Sequence, residues 1–127
     1  MDVTPLIPEG RQIVEAYGDG GFKVSGKAYQ GAVQVFPGRT LAWDASDFAS
    51  LTADSFTAII EAGRSGEVSL LLLGSGARTQ MLPAPLRQAL RQAGIVTEVM
   101  DTGAACRTYN VLMAEGRLIV AALLPVD

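Results

Sequence analysis

The chain has 127 residues, 49% of them hydrophobic and 18% charged, with a net charge of −3, which is the make-up of one folded domain and not of a disordered segment. Its ten basic residues are scattered and leave no footprint for a nucleic acid. Histidine is absent, which removes His-based acid–base chemistry, Ser-His-Asp triads and most zinc sites, and the single cysteine cannot close an internal disulfide, so a reducing cytoplasm is the expected home.

Residues 1–10 carry two acids and two prolines without a basic or long apolar stretch, and read as a loose arm, not a signal or transit peptide, ahead of a single α/β domain over 11–127. Gln12 to Tyr17 reads as a strand, and Gly18-Asp19-Gly20-Gly21 as a tight turn. Phe22-Lys23-Val24 alternates as a strand should. Gly26 and Gly31 bracket Tyr29 and break that strand before Ala32 to Phe36 begins another. Pro37-Gly38 turns the chain into Thr40–Trp43. This first third reads as an antiparallel meander.

A helix follows. Thr52 supplies its cap, Leu51 and Phe56 form a hydrophobic staple, Phe56, Ile59 and Ile60 share a face, and Gly63 is a natural stop. Val68 to Leu73 is continuously apolar, the mark of a strand covered on both faces. Pro85 suits the first turn of a second helix, with Leu86, Ala89, Leu90 and Ala93 as its buried stripe, Arg87 and Arg91 facing water and Gly94 ending it. Val96–Met100 is the next strand, so strand–helix–strand predicts a parallel pair. Over 102–115, Ala105, Tyr109 and Leu112 favour a helix capped by Asp101 or Thr102. The rival reading ends it near Tyr109 and pairs 111–113 with 118–120 in a hairpin. Arg117 to Leu124 is the last, central strand. The apolar runs are too short for the roughly 20 residues that cross a bilayer, so no membrane insertion is expected.

The candidate site lies beyond the ends of the two parallel strands. Gly74, Ser75 and Gly76 follow a buried strand, where glycine lets backbone N–H groups approach an anion, with Arg78 beside them. The plainer reading is a tight turn, since no phosphate-loop lysine or third glycine completes a nucleotide motif. Asp101 and Thr102 follow the second strand and face the same rim if the strands are neighbours. Helix capping alone also explains both. Cys106, near a helix start and next to Arg107, has either a lowered thiol pKa or the role of a small buried hydrophobe. Arg107 and Asn110 either bind a ligand or partner or tie loops to the sheet with hydrogen bonds. Trp43, Tyr17, Phe22, Tyr29 and Phe36 form either a small second core or an aromatic docking surface.

Gly18-Asp19-Gly20-Gly21-Phe22, Gly74-x-Gly76, Asp101-Thr102 with Ala105-Cys106, Asn110, Glu115-Gly116-Arg117 and Ala121-Ala122-Leu123-Leu124-Pro125 occur in that order. This set resembles a small family catalogued as a domain of unknown function, which includes a mitochondrial respiratory complex I assembly factor and uncharacterised bacterial and archaeal relatives. The resemblance implies a three-layer α/β domain with a mixed central β-sheet, helices and an additional N-terminal antiparallel β layer. It implies no catalytic residues and no cofactor. The chain departs from the mitochondrial pattern in the expected absence of a presequence, which suggests a bacterial cytoplasmic member, and in Gly103 where proline is expected.

Two functions follow. The first is a non-catalytic protein-binding module, like a complex I assembly factor, with protein partners that include membrane-complex subunits, working as a monomer or small homo-oligomer. The alternative is a small-molecule or anion-binding protein or enzyme, with a cleft at Gly74–Gly76 and Asp101–Cys106, Asp101 as base and Cys106 as nucleophile.

Overall fold

The structure is a computed structural model and describes residues 10–127; the expected arm therefore lies outside the described residues but for Gly10. Eight strands and three α-helices run in the order β1 (Val14–Gly18), β2 (Gly21–Val24), β3 (Lys27–Gln30), β4 (Val33–Phe36), β5 (Arg39–Ala42), α1 (Thr57–Arg64), β6 (Leu70–Gly74), α2 (Ala84–Gln92), β7 (Val96–Met100), α3 (Thr102–Ala114) and β8 (Ile119–Leu123). Two sheets result, a three-stranded one in the order β1-β2-β3 and a five-stranded one in the order β5-β4-β8-β6-β7.

The apolar runs take the positions that need cover on both sides. β8 lies at the centre, parallel to β6 and antiparallel to β4, and β6 is parallel to β7. Side-chain alternation then sends Leu71, Leu73, Val120 and Ala122 to one face, where they pack with Phe36, Phe56, Ile59, Leu90 and Ile95. Leu72, Ile119, Ala121 and Leu123 go to the other, against Tyr109 and Met113 of α3 and Phe22 and Val24 of the small sheet. The layers are thus α1 and α2, the mixed sheet, and α3 with the β1–β3 meander. No helix is long and apolar enough to cross a membrane among the described residues.

The first third differs from a single meander. Only β1–β3 form the separate antiparallel sheet, while β4 and β5 leave it and join the central sheet through β8, Val33 pairing with Leu123. The segment between Gly26 and Gly31, expected as a break, is strand β3, paired with β2 throughout. Its residues are mostly exposed, so it lacks the apolar alternation that marks a strand. The first turn forms as expected, with Asp19 at φ 52° and Gly20 at φ 76° between paired Gly18 and Gly21.

The helices form where their sequence signals place them, with differences in detail. Thr52 precedes a 3-10 turn over Ala53–Phe56 that leads into α1, while Leu51 and Phe56 are both buried in one cluster. Arg87 does not simply face water: it is half-buried, and its Nη1 donates to Thr97 O at 2.8 Å, covering part of the outer edge of β7. The stretch from 102 is one helix, with no hairpin. Gly63 has a second use beyond stopping α1: a Cβ there would lie 2.6 Å from Ala93 O and from the Ile95 side chain, so glycine lets α1 close onto the end of α2.

Candidate functional site

Gly74 and Met100 are register partners in the parallel pair, so Ser75 and Asp101 leave the sheet side by side. The groups that meet there bond to one another. Ser75 N donates to Met100 O at 2.9 Å, and the buried Ser75 hydroxyl lies 2.7 Å from Arg78 O and 3.1 Å from Met100 O. Thr102 N donates to Gly76 O at 2.8 Å, and Gly76 N donates back to Thr102 Oγ1 at 2.9 Å. That hydroxyl in turn donates to Leu124 O at 2.7 Å, and Leu124 N donates to Gly74 O at 3.0 Å. Asp101 caps α3, its Oδ1 accepting from Ala104 N at 2.9 Å. The side chain of Arg78 is exposed.

Thr102 is thus the tie between three chain segments, the β6 exit, the α3 start and the end of β8. Gly74 suits this junction because a Cβ would sit 3.0 Å from both Thr102 Oγ1 and Leu123 Cδ2.

Cys106, Arg107 and Asn110 lie elsewhere. They line a cleft of about 270 Å³ between α3 and β1, whose other wall is Val14, Glu15, Ala16 and Tyr17. Asn110 clamps the two elements together. Its Oδ1 accepts from Val14 N at 2.9 Å, and its Nδ2 donates to Val14 O at 2.8 Å, so the amide satisfies both backbone groups of an edge-strand residue. Tyr109, one position earlier, is fully buried and its hydroxyl donates to Gln12 O at 3.1 Å. Nothing local in the sequence shows this clamp, since Val14 and Asn110 are 96 residues apart.

Tyr17 closes the cleft at the start of α3. A methyl group at Gly103 would overlap its hydroxyl, so glycine at the second helical position lets the ring lie against the helix. Arg107 is exposed at the same mouth. Cys106 is 3% exposed, and burial pushes its thiol up from the ordinary 9.0 to about 12; Arg107 draws it down and Asp101 raises it, both to a smaller degree. At neutral pH the sulfur is a packed thiol. Among the described residues no three of His, Cys, Asp and Glu gather closely enough to hold a metal ion.

The aromatic residues do not form one surface. Phe22 belongs to the α3-side core, Phe36 and Trp43 to the α1-side core, Tyr29 is half-buried, and only Tyr17 is exposed, at 43%. Trp43 packs against Phe56 with ring centroids 5.7 Å apart, and its Nε1 donates to Ser55 O at 2.7 Å. It also lines a separate groove that includes Gln34, a polar residue that strand patterning did not single out.

The comparisons with known proteins agree with this architecture. The family described as "Protein of unknown function (DUF498/DUF598)" matches residues 14–124. An uncharacterised protein of Rhodobacter capsulatus is 36% identical over 113 residues, covering 88% of this chain and 83% of that protein. Human NADH dehydrogenase (ubiquinone) 1 alpha subcomplex assembly factor 3 is 34% identical over 114 residues, 88% of this chain, which spans 60% of the length of that relative. Among solved structures, one described as an outer membrane protein from Bartonella henselae superposes with a TM-score of 0.85 at 33% identity, covering 93% of this chain and 98% of that one. A Bordetella pertussis protein described as an Mth938-like domain superposes with a TM-score of 0.84 at 31% identity, covering 98% and 92%. With a family match that begins at the first residue of β1 and ends just past β8, and a relative 36% identical across most of both chains, this chain belongs to the DUF498/DUF598 family.

Proposed function

We propose that the protein is a non-catalytic binding module with an assembly-factor-like role toward subunits of a membrane complex, acting in the bacterial cytoplasm as a monomer or small homo-oligomer. The observation that carries this reading is the 34% identity to the human assembly factor, which extends over 88% of the chain. Two structural facts support it. The backbone and hydroxyl groups at the strand ends bond mainly with one another, and Cys106 is a protonated thiol at neutral pH. The docking surface in this reading is the mouth of the α3–β1 cleft, where Tyr17 and Arg107 are residue types that anchor interfaces, with exposed Val111 one turn beyond Arg107 on α3. Affinity isolation of the full chain from cells in mild detergent tests it. Subunits of a respiratory NADH dehydrogenase should be recovered with the wild type and lost with Arg107→Glu. Recovery of no membrane-complex subunit by the wild type overturns the proposal.

A second reading, a small anionic ligand, rests on Arg107, which has no carboxylate partner among the described residues and stands at the cleft. In this reading Ser75, Gly76, Arg78 and Asp101 at the strand ends serve as the neighbouring rim. Inorganic phosphate titrated against the Arg107 side-chain NMR signal tests it. A saturable shift, absent in Arg107→Gln, is the expected result, and an unmoved signal removes this reading.

A further inference from the structure

On the opposite face of the central sheet from α3, a groove of about 400 Å³ opens between β5 and the 3-10 turn that leads into α1. Gln34 forms part of its lining. This residue sits in β4 between Leu41 of β5 and Ala122 of β8, on a face that is otherwise apolar, and is only 3% exposed. Its Nε2 reaches Ser55 O at 3.4 Å, a weak contact to a carbonyl that already accepts from Trp43 Nε1 at 2.7 Å. Among the described residues no donor reaches the Gln34 amide oxygen. That oxygen is not among the fully buried unpartnered side-chain atoms, so it keeps access to the groove and offers there an acceptor that no protein donor occupies among the described residues.

The rest of the lining states the charge of that donor. Asp44 and Asp54 are both exposed at the groove, neither is in an ion pair among the described residues, and no Lys or Arg lines it. The nearby cation of β5, Arg39, is engaged elsewhere, paired with Glu67 and stacked 4.1 Å from the Phe36 ring centroid. The indole of Trp43 offers a wall on which a planar cation stacks. Two carboxylates, an amide oxygen and an aromatic face fit a guanidinium, which is planar, permanently charged and rich in N–H donors.

The groove also borders a free strand edge. β5 is the terminal strand of the five-stranded sheet, and Leu41 and Ala42 line the groove. Among the described residues no strand pairs with its outer edge. An extended peptide adds to such an edge by main-chain hydrogen bonds and drops alternate side chains into adjacent pockets. We propose that this groove receives an arginine side chain of an extended segment of a partner polypeptide, with Asp44 and Asp54 paired to the guanidinium, Gln34 accepting from it and Trp43 stacked beside it. This site stands apart from the α3–β1 cleft and does not depend on the role proposed there.

The only tryptophan of the chain is at the site, so its fluorescence reports occupancy. The probe is an acetylated eight-residue peptide of alternating threonine and valine with one central arginine, titrated into the full chain, beside a twin in which citrulline replaces arginine. The arginine peptide should shift Trp43 emission with half-saturation below about 1 mM. The citrulline twin should bind at least about tenfold more weakly, as should the Asp44→Asn/Asp54→Asn double variant, whose changes lie on exposed side chains and leave the fold intact. Gln34→Leu should also lose binding. The absence of a saturable shift, equal affinity for the citrulline twin, or unchanged affinity in the double variant overturns the site. Binding of N-acetylarginine amide as tightly as the peptide overturns the polypeptide as its source.

Discussion

The strand-end rim and the Gln34 groove both bring polar groups to the border of the core, and they differ in what is left over. At the rim, Gly74, Gly76, Thr102 and Leu124 bond to one another and Ser75 bonds to Met100 and Arg78, so three chain segments are tied at one point. In the groove a lone amide on an apolar strand keeps an acceptor without a protein donor among the described residues. Density of polar residues along the sequence therefore measures how much bonding a junction needs, while availability is the remainder after folding. The largest test of this contrast is Thr102→Val, which keeps the shape and removes the hydroxyl. It leaves Gly76 N and Leu124 O without partners, at a cost of about 3 kcal/mol. Urea denaturation measures it, and a loss under about 0.5 kcal/mol would mean that the rim is not a tie.

Asn110→Ala extends the contrast to the α3–β1 cleft. Both hydrogen bonds to Val14 disappear, and the expected loss is about 2 kcal/mol. The damage should also be local. Hydrogen exchange at the Val14 amide should quicken far more than at Leu72 in the central sheet, because among the described residues β1 pairs with no strand but β2. Equal acceleration at both amides would show that α3 and the small sheet unfold with the whole domain and that the clamp is not a separate joint.

What could be read beforehand follows the same logic. Long apolar runs gave away β6 and β8, and the Pro85–Gly94 frame gave away α2, because burial on both faces and helix ends leave local marks. The parallel neighbouring of β6 and β7 followed from the helix between them, and the register of that pair sets Ser75 and Asp101 just past adjacent strand ends. Strand β3 was hidden because Lys27 to Gln30 is a mostly exposed edge, and edges carry no apolar alternation. The switch of β4 and β5 into the central sheet was hidden because it rests on Val33 meeting Leu123, 90 positions away. The separation of Cys106, Arg107 and Asn110 from the strand ends has the same origin: their counterparts are on β1. Gln34 is one polar residue within the run Ala32 to Phe36 and nothing local marks it as buried; its cover comes in part from the turn at Ser55, 21 positions away.

The smallest expected effect is the most discriminating. Gln34→Leu replaces the amide by a branched alkyl group of similar volume, among Leu41, Ala122 and Trp43. The lost contact to Ser55 O is long, and Trp43 Nε1 still satisfies that carbonyl. Against this weak loss stands the added apolar surface of leucine, and the amide oxygen, which keeps solvent access, gives up no protein donor, so stability should stay within about 1 kcal/mol of the wild type. The measurement is the urea midpoint of the variant beside that of Thr102→Val. A loss of more than about 1 kcal/mol would show that the amide is held by bonding as firm as the rim's. The two regions would then be alike, and the groove would have no acceptor to offer.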